Sequence, residues 1–159
     1  MQSHPMTVLG KKMLDEELDR LVRVEREQLK IEIAEAREHG DLKENAEYHA
    51  AKEKQSHLEG RIAELQAKIG AANVVDISKI KSDKIVFGAT VTLYDLEKEE
   101  SFTCQIVGED EARTAEMKIS YSSPLAKALI GKEVGDEIIV KAPKGDIHYE
   151  VESIEYAHS

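Results

Sequence analysis

The sequence has little of what small stable domains often lean on. It holds one cysteine, no tryptophan, five tyrosines and two phenylalanines in 159 residues. A single cysteine excludes an intramolecular disulfide framework and a zinc site built on several thiolates, which suits a reducing compartment. Three prolines leave long stretches free to be helical. No uncharged apolar run approaches the ~20 residues of a membrane span, and no basic segment leads into an apolar one at the N-terminus. We therefore expect a soluble, cytoplasmic protein with no membrane contact. The balance of 22 Lys+Arg against 32 Asp+Glu gives a net charge of −10. That argues against wrapping a large area of nucleic acid by charge alone, though not against local basic patches.

What is abundant is charge, at 34% of residues, and it is unevenly patterned. Residues 11–75 contain no proline, and glycine only at Gly40, Gly60 and Gly70. Most of the remaining glycine and the β-branched alternation lie beyond residue 80. The pattern predicts an N-terminal helical domain over 1–76 and a C-terminal α+β domain over 80–159, joined near residues 73–80. Residues 1–5 show no structural pattern, and Met6 is a second candidate start.

Tyr48, Ala51, Gln55, Leu58, Ile62, Leu65, Ile69 and Ala72 alternate in steps of three and four, an apolar seam of about three heptads. Leu14, Leu18 and Leu21 begin an earlier seam that Leu29, Ile33 and Ala36 continue. The eleven-residue step from Leu18 to Leu29 is a stutter that locally changes the supercoil. Between the seams, Gly40 suits the position after a helix and Asp41 an N-cap. Helices over 14–39 and 42–72 then form an antiparallel hairpin on the order of 40 Å long at ~1.5 Å per residue. Beyond the joint we expect strands at Ile85–Leu96, Glu100–Val107, Met117–Tyr121, Glu137–Lys141 and Ile147–Tyr156. A short helix over Pro124–Ile130 is capped by Ser123.

Asp41 and Glu44 stand at the end of the hairpin, and two readings compete. Asp-x-x-Glu is a capping box for the second helix. The same two carboxylates, carried on a long thin rod, could instead be delivered into a cleft that no globular domain enters. Unaided they offer too few oxygens for Mg²⁺, which takes about six, but they could complete a site that another molecule begins. Arg23, Arg26, Lys30 and Arg37 share one face of the first helix, while Lys54, Arg61 and Lys68 recur on the second. Those farther from the tip are expected to pair with glutamates; Arg37, Lys43 and Lys52 are near enough to meet a phosphate backbone. His39, His49 and His57 lack the spacing of a helical metal site and read as solvated. Cys104 reads as a small buried hydrophobe.

The stretch Ile33–Ala51, running IAEAREHGDLKENAEYHAA, resembles the signature of the GreA/GreB family of bacterial transcript-cleavage elongation factors. Ile85–Val91 and Ser123–Lys132 match it as well. The resemblance implies an antiparallel coiled coil followed by an α+β domain similar to FK506-binding proteins. It implies bacterial RNA polymerase as partner, with the coiled coil in the secondary channel and the second domain at the channel rim. The polymerase would cut backtracked RNA itself, near the nascent RNA 3′ end. Asp41 and Glu44 match the family's essential tip acids. Asp41 would share Mg²⁺ of the polymerase active centre, the chain having no cofactor of its own, and Glu44 would act on the attacking water. Arg37, Lys43 and Lys52 would face RNA, although Lys52 replaces an arginine that is frequent there. Ser122, Ser123 and Pro124 match the rim-contacting loop. An inhibitory relative is disfavoured by the intact acids, and the acidic balance favours the GreA branch over GreB. A coiled-coil scaffold whose tip is only a turn is the rival from another class. The hairpin satisfies its own seam and so permits a monomer.

Overall fold

A computed structural model describes residues 3–40 and 45–156. They form two compact units, Lys11–Ala72 and the pairing of Ser3–Gly10 with the chain from Asn73 onward.

The first unit is the hairpin. Helix α1 (Val8–Arg20) runs through a π-helical turn (Leu21–Glu25) into α2 (Arg26–Arg37), and α3 (Ala46–Gly70) returns beside them. Leu14, Leu21, Leu29, Ile33 and Ala36 are buried on the outgoing side, and Ala51, Ile62 and Leu65 on the return. The π turn explains the irregular step in the first seam. It adds one residue to a turn, so Leu21 and Leu29, eight apart, both reach the partner helix. Arg20 and Glu25 pair at 2.8 Å across the five-residue spacing of that turn.

The second unit is built on a five-stranded sheet. Its strands are β3 (Thr90–Asp95), β4 (Glu100–Val107), β5 (Lys118–Ser120), β6 (Glu137–Ala142) and β7 (Gly145–Glu155), in the order β5-β4-β3-β7-β6. Only the β4–β5 pair is parallel. Alternation along β3 sends Val91 and Leu93 into the core, where Cys104, Ile106, Ile138 and Val151 meet Ala126 and Leu129 of the short helix α4 (Pro124–Leu129). The register of β3 against β7 shifts between Thr92 and Leu93, a bulge that bends the sheet. The aromatics pack edge to face, Phe87 on Tyr121 and Phe102 on Tyr149.

Three expectations are corrected. The N-terminal residues are not featureless: β1 (His4–Thr7) pairs with β2 (Ala72–Val75), so Ala72 opens a strand instead of closing the helical seam. The first helix begins at Val8, because the Thr7 hydroxyl accepts the Gly10 N–H at 3.0 Å and caps it six residues before the seam starts. The strand expected from Ile85 begins only at Thr90. Gly88 takes a φ of +93° there, and a Cβ on it would lie 2.8 Å from the Ile77 side chain, so the backbone turns before the strand can form. Among the described residues, no helix is long and apolar enough to cross a membrane.

Candidate functional site

The end of the hairpin is where the two long helices hand over. α2 finishes at Arg37, and Gly40 follows at a φ of +118°, the conformation expected of a glycine just past a helix end. α3 begins at Ala46. Its cap is Asn45, in extended backbone, with the side-chain oxygen accepting the Tyr48 N–H at 3.0 Å. The cap is therefore Asn45 and not Asp41, four residues later than the capping box placed it. Asp41, Lys43 and Glu44, the carboxylates and the lysine that the sequence singles out, lie outside the described residues.

The flanks of this end are described. Tyr48 packs half-buried against Leu29, Ile33 and Ala51 and closes the seam. The Arg37 guanidinium lies 5.7 Å from the centre of the Tyr48 ring, a cation–π contact from one helix to the other. Lys52 is exposed, and its Nζ donates to Gln55 Oε1 at 2.8 Å on its own helix. His39 is exposed, 3.9 Å from the Glu47 carboxylate. A groove of about 300 Å³ is lined here by Glu32, Glu35, Ala36, His39, Glu47 and Lys54. Three carboxylates against one lysine make it unsuited to a phosphate.

Farther along the stalk the cations are engaged. Arg23 pairs with Asp19, Lys30 with Glu27, Lys54 with Glu32 and Lys68 with Glu64. Arg26 forks onto Glu59 at 2.9 and 2.6 Å, and Arg61 onto Glu17 at 2.7 and 2.9 Å. The Arg61 hydrogen bonds hold the Glu17 carboxyl below its ordinary value, against the opposing effect of partial burial. These pairs take up the positive charge that the distal arginines would otherwise present, as expected of a solvated coiled-coil flank.

In the second unit, Ser123 Oγ accepts the Ala126 N–H at 3.2 Å and Pro124 occupies the first turn of α4. Ser122 Oγ donates to Glu109 at 3.1 Å and shares a 2.8 Å hydrogen bond with Ser120. The two serines thus build the turn, while the Pro124 ring is exposed. Among the described residues, no group of three or more His, Cys, Asp or Glu could hold a metal. Cys104 is buried, which pushes its thiol up to about 11.

Comparison with known proteins agrees with both halves of the chain. The profile described as "Transcription elongation factor, N-terminal" matches residues 4–74, and "Transcription elongation factor, GreA/GreB, C-term" matches residues 80–156. The chain belongs to the GreA/GreB family. It is 55% identical to the transcription elongation factor GreA of Thermodesulfovibrio yellowstonii, with 96% of each chain covered. It is 53% identical to that of Anaeromyxobacter sp. (strain K), covering 98% of this chain and 94% of the relative. Among solved structures, GreA factor homolog 1 (Gfh1) of Thermus thermophilus aligns with 97% of this chain and 99% of its own, at 28% identity and a TM-score of 0.45.

One residue that shapes this end of the hairpin in this GreA/GreB family member is not singled out by the sequence pattern. Asn45 is of the residue type that caps helices, directly ahead of the Tyr48 seam, and that signal was present. The adjacent Asp-x-x-Glu pattern simply made the stronger claim to the same helix start.

Proposed function

We propose that this chain stimulates the cleavage of backtracked RNA by bacterial RNA polymerase, supplying carboxylates to an active centre it does not own. One observation carries the reading: α2 ends before Gly40 and α3 is capped by Asn45, and the sequence that links the two is Asp41, Leu42, Lys43 and Glu44, two acids and one base among four residues. The names of the relatives, transcription elongation factors GreA, support the same process.

The chemistry asks little of the hairpin itself. Asp41 and Glu44 are hard oxygen donors of the kind Mg²⁺ takes, but two carboxylates supply a fraction of its roughly six ligands, so they fit a shell begun by other groups. When bound, the polymerase's Mg²⁺ would make a water acidic and steady the oxygen that leaves phosphorus. Asp41 would contribute a ligand to that shell. Glu44 would accept the proton of the attacking water at a carboxylate oxygen, so that the new oxygen–phosphorus bond forms as the bond from phosphorus to the 3′ oxygen breaks, and that oxygen takes a proton from solvent to become a 3′ hydroxyl. A short fragment departs and the RNA regains a usable 3′ end. Arg37 and Lys52, with Lys43, meet the phosphates of the extruded RNA by charge. Stacking on Tyr48 pre-orders the Arg37 guanidinium for that task. Pro124, held out by the Ser122–Ser123 turn, contacts the polymerase rim. The factor works as a monomer in the cytoplasm.

The test uses stalled, backtracked polymerase with end-labelled RNA and Mg²⁺. Adding the protein is expected to release fragments of a few nucleotides and to restore elongation. RNA that stays uncut at saturating protein overturns the reading.

A further inference from the structure

Asn45 does more than open α3. Its side-chain amide is used at both ends: Oδ1 accepts the Tyr48 N–H, and Nδ2 donates to the carbonyl oxygen of Ala36 in the last turn of α2. That carbonyl also accepts the His39 N–H at 3.2 Å. Helix ends leave carbonyls at one terminus and N–H groups at the other without partners inside the helix. Here one side chain serves an N–H in the first turn of one helix and adds a second donor to a carbonyl in the last turn of the other, and so ties the start of the return helix to the end of the outgoing one. Ala36 is buried, and the hydrogen bond it receives from Asn45 is partly buried.

From this geometry we propose that Asn45 is a positioning residue for transcript cleavage: its bridge from Ala36 to Tyr48 pins the chain at the residue directly after Glu44, and so fixes where the tip carboxylates are presented. The inference rests on the function proposed above and names what holds that site in place. The chemistry demands an amide. Aspartate has the same shape and caps a helix as well as asparagine does, but as a carboxylate it has no proton to give the Ala36 carbonyl and repels it. Serine has one hydroxyl and a shorter reach. A residue needed only to start α3 could be either of these; a clamp could not.

Asn45→Asp in the full-length protein separates the two roles. Helix content and occupancy of polymerase in competition with labelled wild-type protein are expected to stay at wild-type values, because the α3 cap is retained, while the melting midpoint falls slightly with the lost Ala36 hydrogen bond. The cleavage rate at saturating factor is expected to fall by about 10- to 100-fold, the cost of a reacting group displaced by roughly 1 Å. Asn45→Ala, which loses cap and clamp together, is expected to melt below Asn45→Asp and to be no more active. Full cleavage by the aspartate variant would overturn the clamp while leaving the proposed function standing. So would a loss of rate accounted for by lost occupancy or lost helix. A wild-type protein that fails to cut would instead remove the proposed function, and the clamp's role with it.

Discussion

Glu111 takes both the backbone N–H and the hydroxyl of Thr7, 104 positions earlier in the chain, onto one buried carboxylate. The same carboxylate accepts the Gly108 N–H at 3.2 Å, while the Thr7 hydroxyl caps the first turn of α1 through Gly10. A second tie, His4 to Asp110 at 2.8 Å, lies alongside. A Cβ on Gly10 would run into the Glu111 carboxylate, and one on Gly108 would approach the Pro5 carbonyl to 2.7 Å.

The glycine in a helix should therefore behave against its propensity. Alanine is the better helix former by about 1 kcal/mol, yet Gly10→Ala is expected to destabilise by about 1–3 kcal/mol, because the hydrogen-bonded Glu111 must move. Glu111→Ala is expected to cost about 3 kcal/mol, since it orphans buried donors on Thr7 and Gly108. In the Glu111→Ala background Gly10→Ala should become neutral or stabilising. Denaturant unfolding of the four proteins measures this coupling, and additive effects would refute the collision.

The Glu17–Arg61 pair sets a pH dependence for the stalk. The Glu17 carboxyl is lowered in the folded chain, chiefly by its hydrogen bonds from Arg61. A lowered carboxyl contributes stability above its unfolded value, near 4.5, and loses that contribution as pH falls through the folded value. Glu17→Gln should thus be less stable than wild type at neutral pH by roughly 0.2–1 kcal/mol, the scale of a solvent-accessible pair. The two melting curves should converge as the pH is taken below the carboxylate range. A difference that persists in acid would mean that packing, not charge, accounts for it.

How far the sequence reveals this molecule depends on the range of the interaction. The seam from Tyr48 to Ile69, the strand Glu100–Val107 and the Ser123–Pro124 helix start were legible because each is written in a local period or cap. β1 and β2 were not, since two four-residue strands have no period of their own and exist through pairing with each other. The Glu111 carboxylate looked like one acid among many, because its value lies in a partner a hundred positions away. At the hairpin end the sequence pointed to the right stretch and to the wrong cap. Asp41 and Asn45 both suit an N-cap, and only Asn45 can also reach the Ala36 carbonyl as a donor.

Cys104 should be chemically silent. Its thiol is buried in β4 and raised to about 11, so little thiolate exists near pH 8 and reagents cannot reach it. Modification by a maleimide or a disulfide reagent is expected only on unfolding, with a rate that follows denaturant. Rapid labelling of the native protein would contradict the buried position.

The central claim is that Asp41 and Glu44 act on RNA chemistry instead of merely opening a helix, and that α3 has its own cap in Asn45. The most direct measurement is single-turnover cleavage in backtracked complexes saturated with wild type, Asp41→Asn or Glu44→Gln, with melting and polymerase occupancy recorded for each. Both variants should fold and bind as wild type does. Each should lose about 10²- to 10⁴-fold in rate, the span usual for a positioned acid or base. Fragment release at the wild-type rate from the doubly neutralised protein would contradict the account.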